Sequence, residues 1–111
     1  MTRYTPRKGD LVTLSSDPQS GHEQRGRRPA LVVSNDLFNR HTGMCIACPL
    51  TNTNRNNPFH VAVPPGIGVT GFVMAEQVKS LDFRARQAKR IGAVPVEVLD
   101  DVLALLDACL Y

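Results

Sequence analysis

Between Gly9 and Val94 the chain never stays apolar for long. Its Val-, Ile- and Leu-rich stretches are GDLVTLS (9–15), PALVVSN (29–35), MCIACPL (44–50), FHVAVP (59–64), GFVMAE (71–76) and KRIGAV (89–94). Each is six or seven residues long, and Gly, Pro, Asn or Asp bounds it. Runs this short, punctuated this way, are strands. No helical period fills the gaps between them, so the pattern predicts a mainly β fold, an antiparallel barrel or tightly rolled sheet. A single helical turn fits NDLFNRHTG (35–43), and another fits DFRARQ (82–87).

After Val94 the period changes. Leu99, Val102, Leu103, Leu106 and Leu110 recur at the spacing of one helical face, which predicts a C-terminal α-helix laid across the sheet. Pro95 suits its first position, and Glu97, Asp100 and Asp101 suit the positive end of its dipole. At 111 residues, the whole chain (1–111) is expected to form one domain with a modest core. No stretch reaches the roughly 18 to 20 apolar residues of a membrane span, and the N-terminus MTRYTPRKGD is too polar for a signal peptide. A cytoplasmic protein with no membrane partner is therefore expected. Three cysteines without a secretion signal argue against a disulfide framework. Cys45 and Cys48 form a C-x-x-C, but residues three apart on a strand point to opposite faces, so inert buried thiols are expected rather than a metal or redox pair.

Charge is distributed unevenly. Residues 1–90 hold all 13 Lys and Arg against six acids, a net +7, while the last 21 residues hold four acids and no base. A basic body suits a polyanion, although acids on the wet face of a helix need no partner. Two long loops, 16–28 and 51–58, are candidates for binding. There is no G-x-S-x-G, P-loop, G-x-G-x-x-G or H-E-x-x-H, and His22, His41 and His60 are scattered, so neither metal nor cofactor is expected. The stretch GHEQRGRRP (21–29) remains. Arg25, Arg27 and Arg28 offer planar forks for a phosphate, Glu23 and His22 offer proton transfer, and Thr51 offers a hydroxyl. The residues alone leave three readings open: a metal-free ribonuclease, a nucleic-acid binder without chemistry, and a structural or partner-binding module.

Taken end to end, the sequence resembles the MazF/PemK family of toxins. YTPRKGDLV resembles the family's opening strand, and DPQSGHEQRGRRPALVVS carries its diagnostic G-x-E-Q-x-G-x-R-P. NRHTGMCIACPLT, NPFHVAVP, GFVMAEQVKSLDFRAR and the helix after GAVP follow in order. The resemblance implies an SH3-like plug barrel with a C-terminal helix, working as a homodimer, with MCIACPL and MAEQVKS as dimer-forming elements. It implies a metal-independent endoribonuclease that cuts single-stranded RNA, mostly mRNA, to 2′,3′-cyclic phosphate and 5′-hydroxyl ends. The family's catalytic arginine falls on Arg28, its threonine on Thr51 and its functional glutamate on Glu23, with Gln24 beside it. Arginine's pKa assigns Arg28 to charge stabilisation with Thr51 and leaves proton transfer open, with Glu23 the first candidate. RNA contacts are expected from Gln24, Arg25, Arg27, Asn52, Arg55, Gln77, Lys79 and Ser80, whereas Arg84 and Arg86 are expected to brace the fold or dimer. The implied protein partner is an antitoxin whose acidic, disordered C-terminal segment covers the groove. TLSSDP stands where the best-known members carry large aromatics, so base stacking is expected to be weaker there or supplied from elsewhere, which leaves the cleavage motif open. Two alternatives share the barrel: a gyrase-targeting toxin, and an RNA-binding barrel without catalysis.

Overall fold

A computed structural model describes residues 3–15 and 26–111, and β3 (Met44–Thr51) is the strand that the other elements share. One edge of β3 pairs with β2 (Arg27–Val32) over Ala47–Pro49. The opposite edge is divided between two strands. β6 (Lys79–Asp82) takes Met44–Ala47, and β5 (Phe72–Met74) takes Leu50 and Thr51. A 3-10 turn, Ala75–Gln77, carries the chain from one to the other. β1 (Asp10–Ser15) flanks β2, β7 (Lys89–Ala93) flanks β1, and β4 (His60–Ala62) flanks β5. All these pairs are antiparallel.

The expected mainly antiparallel architecture with a C-terminal helix is the one found. Pairing among the described residues leaves the sheet open rather than closing it into a ring. Loop contacts bridge the gaps instead. The Ser15 N–H donates to the Arg86 carbonyl at 2.7 Å, and the backbone at Ile67 lies so close to β7 that a Cβ on Gly92 would come within 3.0 Å of the Ile67 carbonyl oxygen.

Because strand side chains alternate, the sheet has a core on each face. Leu11, Leu31, Cys48, Leu50 and Val73 form one, closed by α2 (Val96–Leu110). Val12, Leu14, Val32, Cys45, Ala47, Leu81 and Phe83 form the other. Cys45 and Cys48 are both fully buried on opposite faces, as alternation requires. Burial pushes the thiols up to about 11 and about 12, respectively.

Three local expectations shift. Pro95 caps α2 from outside rather than opening it. The fully buried line of that helix is Val98, Val102 and Leu106, while Leu99 and Leu103 are partly buried and Leu110 is 71% exposed. The single turn expected at 35–43 is a seven-residue helix, α1 (Asp36–Thr42). The Asn35 side chain accepts from the Phe38 N–H at 2.8 Å at its start, and Gly43, at φ +73°, ends it. DFRARQ, by contrast, forms turns without a helix.

Two buried polar groups tie the N-terminal segment down. Asn39 of α1 donates to the Pro6 carbonyl at 2.8 Å. Asp10 accepts from the Tyr4 hydroxyl at 2.5 Å and from Arg90 Nε at 3.2 Å. Burial and this carboxylate together raise the Tyr4 pKa, so the phenol stays protonated and donating. No helix among the described residues is long and apolar enough to cross a membrane.

Candidate active site

β2 and β3 run side by side until Ala30↔Pro49, and there the registered pairs stop. Pro29 and Pro49 have no N–H to donate, so pairing is weakened at the level where the strands part. Arg28 lies two residues beyond Ala30, and Thr51 two beyond Pro49. A step of two keeps a side chain on the same face, so both look out from one side of the opening. They line one concavity of about 340 Å³ together with Pro29, Pro49, Asn52 and Thr70. Arg28 also belongs to the wall of a second, smaller concavity of about 80 Å³, whose polar lining is Ser15, Lys79 and Arg86.

The two concavities, sharing Arg28, Pro29 and Pro49, make one groove. Its cations are Arg28, Lys79 and Arg86, and among the described residues no carboxylate and no histidine lines it. A path of this sign attracts a polyanion, and two planar guanidinium forks match phosphate oxygens. The Thr53 N–H donates to Thr51 Oγ at 3.2 Å, which occupies a lone pair and leaves the hydroxyl hydrogen free to donate outward. The arrangement can therefore grip a phosphate and stabilise added negative charge on it.

The residues expected from sequence separate into groups. Arg28, Thr51, Asn52 and Lys79 line the groove. Arg55, Gln77 and Ser80 are exposed but line neither concavity. Arg27 is held within the fold: its Nη2 donates to Thr13 Oγ1 at 2.9 Å and to the Gln87 carbonyl at 2.6 Å. His22, Glu23, Gln24 and Arg25 lie outside the described residues.

Arg86, expected to brace, instead lines the groove, and its buried Nε has no acceptor among the described residues. Arg84 is exposed, and its guanidinium lies 5.9 Å from the centroid of the neighbouring Phe83 ring. Ser15 and Thr70 are further lining residues that neither motif nor charge had marked. FRAR itself gave no signal, because residues two apart in such a turn need not share an environment.

The chain is similar to known proteins over nearly its whole length. The model of the "PemK-like, MazF-like toxin of type II toxin-antitoxin system" family matches residues 7–110. The endoribonuclease toxin MazF of Escherichia coli K12 is 40% identical over 107 residues, 96% of either chain. The endoribonuclease toxin ChpB of the same organism is 43% identical over 106 residues, covering 91% of this chain and 90% of that one. Among solved structures, MazF of Deinococcus radiodurans superposes with a TM-score of 0.87 at 44% identity, covering 97% of this chain and 98% of that one. The MazE–MazF complex from that organism contains a chain that matches with a TM-score of 0.86 at 39% identity, over 97% of each. With sequence and fold matched over nearly the whole length, this chain belongs to the PemK-like, MazF-like toxins of type II toxin–antitoxin systems.

Proposed function

We propose that the groove cuts single-stranded RNA, with Arg28 and Thr51 holding the charge that the scissile phosphate gains. By class the chain is an endoribonuclease, like relatives 40% and 37% identical to it over 107 residues. The observation that carries the finer reading is the shared concavity of Arg28 and Thr51, cationic and free of carboxylates among the described residues.

The ribose 2′ oxygen attacks phosphorus, and its proton passes to a base. The bond to the 5′ oxygen breaks as that oxygen takes up a proton. The products are a 2′,3′-cyclic phosphate and a 5′-hydroxyl. Negative charge builds on the non-bridging oxygens on the way, within reach of the Arg28 fork and the Thr51 hydroxyl. Arg28 stays charged at any working pH, so it stabilises and does not transfer the proton. Proton transfer is assigned to Glu23. The cationic lining repels divalent ions, which favours a reaction without a metal or other cofactor.

Asn52, Lys79 and Arg86 contact the RNA along the groove, and Gln24, Arg25, Arg55, Gln77 and Ser80 extend the contact beyond it. Arg27 serves to fix β2. Residues 1–111 act as one toxin domain, paired as a homodimer in the cytoplasm, where messages are found. A cognate antitoxin covers the groove with an acidic segment, a reading supported by the MazE–MazF assemblies of Deinococcus radiodurans.

The test is incubation of the purified protein with a long unstructured RNA in excess EDTA, followed by sequencing of the cut ends. Discrete cuts with 5′-hydroxyl ends are expected. Arg28→Ala and Thr51→Ala are each expected to reduce cleavage by about 10² to 10³-fold with an unchanged circular dichroism spectrum. Full activity in either folded variant would overturn the site assignment, and no cutting by a folded, antitoxin-free dimer would turn attention to gyrase or another protein target.

A further inference from the structure

Arg27 does more than fix β2, which five registered pairs with β1 already hold. Its Nε and Nη2 both donate to Thr13 Oγ1, at 3.1 and 2.9 Å, and Nη2 also reaches the Thr13 carbonyl at 2.9 Å. These contacts stay between β1 and β2. A further one leaves them: Nη2 donates to the Gln87 carbonyl at 2.6 Å. Gln87 sits between β6 and β7, where residues 83–88 belong to no strand. Its φ is +52°, a conformation that a residue with a side chain rarely adopts.

This turn is the element that carries Arg86. Buried Phe83 anchors its start, and the Arg86 and Gln87 N–H groups donate to the Asp82 and Arg84 carbonyls, each at 3.0 Å, which closes the turn on itself. Its far end is tied to the groove from β1 and β2. The Ser15 N–H donates to the Arg86 carbonyl at 2.7 Å, and Arg27 donates to the next carbonyl, that of Gln87. Ser15 and Arg27 are register partners, so two neighbouring donors catch two successive carbonyls. One bond would let the turn swing about it, whereas two set its orientation. The Arg86 side chain leaves the backbone just before the first of these carbonyls and lines the concavity shared with Ser15, Arg28 and Lys79. Building on the endoribonuclease reading above, we infer that Arg27 is a positioning residue: through the Gln87 carbonyl it aims Arg86 at the RNA backbone, and it strengthens RNA binding without touching RNA itself.

The experiment measures RNA binding against salt in the Thr51→Ala background, for the parent, Arg27→Met, Arg86→Ala and the double variant. Methionine keeps an apolar stem where the arginine's lay and removes the fork. Arg27→Met and Arg86→Ala are each expected to lower the slope of log K against log salt by about 0.7, one phosphate on a single strand. The double variant is expected to lose about 0.7 in total, because both changes remove the same contact. In the protein that retains Thr51, Arg27→Met is expected to raise KM about tenfold and to leave kcat within about twofold. A loss of about 1.4 in the double variant would mean that Arg27 binds a phosphate of its own, and overturns the inference. So does an unchanged slope in either single variant, and so does a larger fall in kcat, which would place the effect at Arg28. Thermal melts check folding. Should Arg27→Met fail to fold, Thr13→Val keeps every charge and removes two of the contacts; it is expected to lower the slope as well, and an unchanged slope there overturns the inference. Neither binding nor cutting of RNA by the wild type would overturn the ribonuclease reading on which the inference rests.

Discussion

Arg27 and Arg28 stand side by side in β2 and have different tasks, because successive side chains in a strand leave by opposite faces. Arg27 reaches Thr13 and the Gln87 carbonyl, a partner sixty residues away that no motif could announce. Arg28 was legible as a site residue, since the G-x-E-Q-x-G-x-R-P pattern marks it. Arg86 was not, for FRAR does not tell which arginine turns inward. The cysteines are the opposite case, because alternation alone placed them. Their thiols are held at about 11 and about 12 against an ordinary 9.0. Between those values the unfolded chain has released protons that the folded chain still holds, so stability falls as pH rises above about 9. Urea midpoints measured from pH 7 to pH 10.5 are expected to decline, and the decline is expected to be shallower in Cys48→Ala. At neutral pH a thiol reagent is expected to label only the exposed Cys109 in the native protein.

Among the elements, α2 shows how burial rather than composition assigns importance. Val102 is fully buried under the sheet, whereas Leu110 is 71% exposed at the helix end. Val102→Ala is expected to lower unfolding free energy by about 1 to 2 kcal/mol, lost burial being partly offset by alanine's better helix propensity. Leu110→Ala is expected to change it by less than about 0.5 kcal/mol, with both read from urea denaturation. The helix was readable because five apolar residues share a face, but which of them sink deepest depends on the curve of the sheet below. Six strands were readable for a related reason: each carries a cluster of Val, Ile or Leu between turn residues. β6 was not recognised as a strand, because of Lys79, Ser80, Leu81 and Asp82 only Leu81 is buried. A strand that offers one apolar side chain is defined by its partner, here the first half of β3.

For the molecule as a whole, the uneven charge found along the chain becomes a groove with three cations and, among its described residues, no acid. Affinity for RNA should therefore depend on salt. Each phosphate neutralised on a single strand contributes a slope of roughly −0.7 to log K against log salt. With Thr51→Ala used to prevent cutting, the slope is expected near −2 for three contacts, and Arg86→Ala is expected to reduce it by about 0.7. A slope unchanged by Arg86→Ala would mean that Arg86 touches no phosphate. The same field suits an acidic protein segment, so the proposed inhibitor and substrate are expected to compete for one electrostatic surface.

The pairing of Ser15 with Arg27 across β1 and β2 has a consequence for the stretch of chain between them. The segment between them leaves and re-enters the sheet at adjacent points, and Arg27 bolts the return point to Thr13 and Gln87. Closing a loop twice as long between fixed ends costs only about 0.6 kcal/mol more. The sheet that holds its two ends therefore constrains the length of that segment only weakly. Added length there is expected to cost the fold little, because Arg27 keeps the return point, and with it Arg28, in place.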